Sequence, residues 1–95
     1  MKFKDEILEP LEVEIGGKLY RIHEDRETLD KVDKIELKAD GSNITEFWYK
    51  KLETISEIPK TKIRTMTLRQ VRMIVKWAIG EIYGTGEVAS EKKDL

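Results

Sequence analysis

Residues 58–80 read IPKTKIRTMTLRQVRMIVKWAIG. Lys60, Lys62, Arg64, Arg69, Arg72 and Lys76 stand in this stretch, and no acidic residue does. Residues 1–57 hold 10 Lys and Arg against 15 Asp and Glu, and residues 81–95 hold 2 against 4. A formal net charge of −1 over 95 residues therefore conceals one basic segment between two acidic ones.

The second half of the stretch predicts a helix over residues 68–83. Thr67 and Gln70 have the spacing of a capping box, in which the hydroxyl accepts from the N3 amide and the amide side chain reaches back. Leu68, Val71, Ile74, Val75, Ala78 and Ile82 then recur at helical spacing. At 100° per residue from Leu68 they fall between about 240° and 360°, and Arg72, Lys76 and Arg69 at about 40°, 80° and 100°. Met73 and Trp77 lie further round, at about 140° and 180°. A helix apolar over so much of its circumference is central to its fold or covered by a partner. Three readings follow for the whole stretch. It is a core helix with solvated or paired charges, a partner-binding face built on Met73, Trp77 and Tyr83, or a nucleic-acid footprint of Lys60, Lys62, Arg64, Arg69, Arg72 and Lys76.

Working outward, residues 11–23 predict a β-hairpin. Leu11, Val13 and Ile15 alternate with Glu12 and Glu14, and Gly16-Gly17 supplies the two positive-φ residues of a tight turn. A two-residue loop sets Ile15 against Lys18, Val13 against Tyr20 and Leu11 against Ile22, with Glu12 across from Arg21 on the other side. A lone hairpin is marginal in water, so its apolar face requires helices to cover it. Asp25 is placed to cap a helix over about residues 26–38, although Ile35, Leu37 and Ala39 also alternate as a strand would. Asn43 with Glu46 has capping-box spacing before a helix over about residues 44–57, closed by Pro59. Residues 60–66 then read as a basic connector. The expected fold is α+β, one domain over residues 1–84 with the hairpin packed on about three helices, followed by a flexible tail at 85–95. Size favours the core for Trp48 and Trp77 and leaves Tyr49 and Tyr83 open. Phe3, Ile7 and Leu8 would form an arm, anchoring to the core or to a neighbouring subunit.

The chemistry is sparse. The chain has 39% charged residues, no cysteine and a single histidine, His23. Disulfides and thiolate metal sites are thereby excluded, and zinc sites of the usual kind cannot form within one chain. Residues 40–47, DGSNITEF, do not keep the spacing of a calcium loop, because Leu37 and Ala39 fall where its first carboxylates belong. Neither glycine cluster, Gly16-Gly17 nor Gly84-Thr85-Gly86, opens a helix as a phosphate loop does. No nucleophile, metal or cofactor site is expected, and binding is left as the function class. The absence of a long apolar run and of a signal-type leader points to a cytoplasmic protein without a membrane span.

The order of parts resembles the tail assembly chaperones of long-tailed bacteriophages. The likeness lies in the hairpin LEVEIGGKLYRI with Gly17-Lys18-Leu19-Tyr20, in the helix start DRETLDKV, and in MTLRQVRMIVKWAIG, which runs from Thr67-Leu68 to Ala78-Ile79-Gly80. The resemblance implies a non-enzymatic, self-associating protein that coats the tape measure protein, keeps it soluble and aids tail-tube polymerisation. The apolar-surface argument adds Met73, Trp77 and Tyr83, with Phe3, Ile7 and Leu8, as the partner-binding residues. The alternatives are a small nucleic-acid-binding regulator that uses residues 60–76 and a structural virion component such as a connector or tail accessory protein.

Overall fold

Alternation and a Gly-Gly turn produce the hairpin. In the computed structural model, which describes residues 10–84, β1 (Glu12–Ile15) pairs antiparallel with β2 (Lys18–Arg21). The register is Glu12 to Arg21, Val13 to Tyr20, Glu14 to Leu19 and Ile15 to Lys18, as the two-residue loop requires. Gly16 and Gly17 have φ of 61° and 81°, the pair of positive values that a side chain would oppose. The Ile22 amide donates to the Leu11 carbonyl at 2.8 Å and extends the ladder by one pair. Glu12 and Arg21 face each other in register, but they form no ion pair.

The second edge of the hairpin is also paired. The His23 amide donates to the Ile55 carbonyl at 2.7 Å, and the Glu57 amide donates to the Arg21 carbonyl at 2.9 Å. An isolated antiparallel bridge joins Ile22 to Ser56. Residues 55–57 thus run beside the end of β2 through this single bridge, where the sequence suggests the last turn of a helix.

Four helices complete the α+β fold: α1 (Arg26–Asp33), α2 (Ile44–Ile55), α3 (Lys60–Ile63) and α4 (Leu68–Tyr83). Asp25 caps α1, its carboxylate accepting from the Thr28 amide at 2.9 Å and the Thr28 hydroxyl at 2.8 Å. That helix stops at Asp33, short of the expected residue 38, and residues 35–38 are neither helix nor strand. Asn43 holds this segment. Its side-chain oxygen accepts from the Lys38 amide at 2.8 Å and its nitrogen donates to the Glu36 carbonyl at 3.0 Å. The expected Asn43–Glu46 capping box therefore does not form, because the Asn43 side chain is committed elsewhere.

The helix expected to reach residue 57 ends at Ile55. Ser56 turns extended, with φ −130° and ψ 167°, while its hydroxyl donates to the Leu52 carbonyl at 2.8 Å and accepts from the Ile58 amide at 3.3 Å. A buried hydroxyl satisfied in both directions stabilises the change of direction. The basic connector folds in part into α3, one turn that drives Ile63 into the core. α4 begins with the predicted capping box. The Gln70 amide donates to the Thr67 hydroxyl at 3.1 Å, and the Gln70 side chain accepts from the Thr67 amide at 2.9 Å. It ends at Gly84, which has a left-handed φ of 69° and whose amide donates to the Gly80 carbonyl at 2.7 Å.

The core gathers Ile22 from the hairpin end, Val32 from α1, Leu52 and Ile55 from α2, Ile58 and Ile63 from the α2–α3 region, and Val71, Val75 and Ala78 from α4. α2 and α4 make the most extensive contact between helices. Val13, Ile15 and Tyr20 pack their hairpin face against this cluster, as do Trp48 and Tyr49. The Tyr49 hydroxyl donates to the Met66 carbonyl and ties α2 to the approach to α4.

Candidate docking face on the last helix

α4 buries one side and exposes the other. Val71, Val75 and Ala78 are fully buried on the face predicted from spacing. Opposite them Met73 is 62% exposed, Trp77 38% and Tyr83 51%. Met73 and Trp77 stand one turn apart and share a stripe. Tyr83, at about 60° on the same projection, falls among Arg72 and Lys76 instead. The three expected partner-binding residues of this helix are all exposed, but only two are neighbours. Trp48 packs against the core as its size suggests, and Trp77 takes the surface.

On one side the stripe is bordered by cations, and on the other Glu81 is exposed one turn beyond Trp77. Arg69, Arg72 and Lys76 are exposed, and among the described residues none meets a carboxylate at ion-pair distance. Arg64 differs, since its Nε donates to Glu53 at 3.0 Å and its Nη2 lies 3.9 Å from Glu46, both on α2. That guanidinium fastens the end of α3 to α2. Lys62 leans toward the hairpin turn, its Nζ 3.8 Å from where a Cβ on Gly16 would stand. Lys60 is exposed on α3. The six cations of the basic stretch therefore divide: three form a ridge on α4, Arg64 is ion-paired to α2, Lys62 leans toward the hairpin turn and Lys60 is exposed on α3. Phe3, Ile7 and Leu8 and the tail at 85–95 lie outside the described residues.

Other exposed apolar side chains were not singled out by spacing. Leu19 stands among Glu12, Glu14 and Arg21 on the outer side of the hairpin, and the turn register gives that position. Leu37, within the segment held by Asn43, and Ile44, the first residue of α2, are exposed, and no local signal separates them from core residues. His23 is half-buried and lines a shallow depression with Pro10, Arg21, Ile22, Glu24 and Asp25. Among the described residues no cluster of three or more His, Asp or Glu side chains is placed to hold a metal ion, and no helix is long and apolar enough to cross a membrane. The chain matches no family model, no curated protein and no solved structure.

Proposed function

We propose that this is a non-enzymatic protein-binding module whose docking surface is the outer face of α4. Its specific form, carried by the sequence resemblance, is a phage tail assembly chaperone that holds the tape measure protein and self-associates. The observation that supports the reading is the exposed Met73–Trp77 stripe on a helix whose opposite side already fills the core. Methionine adapts to varied apolar surfaces and tryptophan brings large contact area, so the two suit a hydrophobic client. Co-expression with a tape measure protein tests it. The wild-type chain keeps the client soluble and co-purifies with it, and Met73→Asp with Trp77→Asp abolishes both effects. Intact client capture and self-association in the double variant would overturn the placement.

A second reading is supported by Arg69, Arg72 and Lys76, which form a ridge without carboxylate partners among the described residues. In that reading α4 lies against nucleic acid. Three phosphate contacts give a log–log salt slope of roughly −2.7 on duplex DNA. Fluorescence anisotropy between about 50 and 200 mM salt that returned such a slope, reduced by Arg69→Ala and Arg72→Ala, would make this the leading reading. Absence of binding at the low-salt end removes it.

A further inference from the structure

The hairpin has two edges, and the fold closes one of them. In a two-residue hairpin the pairs alternate between hydrogen-bonded and non-bonded. The Ile22 amide bonding the Leu11 carbonyl fixes the phase, so Val13–Tyr20 and Ile15–Lys18 are the other bonded pairs. Glu12, Glu14, Leu19 and Arg21 consequently turn their backbone groups outward. On the β2 side residues 55–57 use that edge, the Glu57 amide taking the Arg21 carbonyl. On the β1 side the amides and carbonyls of Glu12 and Glu14 have no backbone partner among the described residues.

A groove of about 200 Å³ opens beside that edge, lined by Glu14 and Ile15 of β1 and by Met66, Gln70, Met73 and Ile74. β2 contributes nothing to it. Ligand pockets for small molecules are usually about 300–1,000 Å³, so this one fits a side chain or two better than a cofactor. Its wall is chiefly apolar, with two methionines able to repack around varied shapes. Glu12 and Glu14 alternate onto the outer face of the same strand, where Glu12 faces Arg21 and Glu14, which also borders the groove, faces Leu19 across the ladder.

We infer that β1 is an acceptor edge for an extended segment of a partner protein in which apolar and basic residues alternate. A strand added there takes its backbone hydrogen bonds from Glu12 and Glu14. Its period of two sends one set of side chains into the groove beside Ile15 and Met73. The other set comes to the outer side, where lysine or arginine meets Glu12 and Glu14 across neighbouring strands. The residues that blunt this edge against indiscriminate pairing thus also select the sign of the charge it accepts.

The test is a titration of the uniformly ¹⁵N-labelled full chain with a blocked peptide, Lys-Val-Lys-Leu-Lys-Val, followed by amide shifts and amide exchange. The expected result is shifts at Glu12 to Ile15, Met66 and Met73, and slowed exchange at the Glu12 and Glu14 amides. A peptide of the same composition with its lysines in one block, and one with glutamate in place of lysine, bind at least about tenfold more weakly. Glu14→Pro removes an outward-facing donor while leaving the bonded pairs of the hairpin intact, and it weakens binding about tenfold. Glu14→Lys keeps the backbone and reverses the charge, so it weakens binding even if the proline variant misfolds. Equal binding of the three peptides would overturn the inference, as would exchange at Glu12 and Glu14 already slowed before peptide is added. The inference shares Met73 with the proposed docking face, but the two fail separately, since its deciding readout is the exchange of the Glu12 and Glu14 amides and not client capture by Trp77.

Discussion

Asn43 stands immediately before α2, where a capping residue belongs, and its side chain reaches backward instead. By accepting from Lys38 and donating to Glu36 it satisfies two backbone groups of a segment that joins neither helix nor sheet. This explains why residues 34–39 could not be read locally. Ile35, Leu37 and Ala39 fit two periodicities, and the deciding hydrogen bonds come from a residue several positions on. Asp25 is the opposite case, a cap whose partner lies within the next turn. The Thr28 amide, joined by the Thr28 hydroxyl, holds the Asp25 carboxyl below its ordinary value of 3.8. The folded state therefore favours the ionised form, so the contribution to stability is complete above 3.8 and is lost as pH falls through the lower folded value. Urea unfolding followed by circular dichroism is expected to show a midpoint that declines below about pH 4, and Asp25→Asn, which retains a capping oxygen, flattens part of that decline. Asp40 adds to the same window, its carboxyl lowered by the Ser42 amide.

Among elements, the hairpin and α4 were the most legible because their signals are local and redundant. Alternation, a glycine pair and a complementary register agree in the hairpin. A capping box, a spaced apolar face and a terminal glycine agree in α4. The end of α2 was less legible, since Ile55, Ser56 and Ile58 continue a helical pattern up to Pro59. The Ser56 hydroxyl and the bridge to Ile22 turn the chain three residues earlier than the proline would. α3 was missed for a related reason: Lys60-Thr-Lys62-Ile63 has one apolar residue and no periodicity to detect. The proposed docking face divides in the same way. The spacing of α4 set Met73 and Trp77 apart from the core face, but the size of Trp77 argued for burial, and only the arrangement of α2 against α4 shows which side is covered. The buried core and the exposed side of α4 should respond differently to substitution. Ile63→Ala empties a fully buried site and is expected to cost about 2–5 kcal/mol. Met73→Asp, on the exposed side, should stay within about 0.5 kcal/mol of wild type in denaturant unfolding. A large loss for Met73→Asp would mean that this side chain serves the fold.

At the scale of the molecule, the contrast between an acidic first half and a basic stretch is only partly spent on internal contacts. Arg64 draws α3 onto Glu53 and Glu46 of α2, an ion pair between the two charge territories. Arg69, Arg72 and Lys76 make no such pair among the described residues and instead border the Met73–Trp77 stripe. An apolar strip with a basic margin on one side and Glu81 on the other favours a partner whose apolar surface carries acids along the matching edge. Hydroxyl-radical footprinting of the full chain, alone and in complex with a tape measure protein, tests this account most directly. Met73 and Trp77 are expected to be oxidised in the free chain and protected in the complex, while Leu37 and Ile44 keep their reactivity. Undiminished oxidation of Met73 and Trp77 in the complex would contradict a docking face on α4.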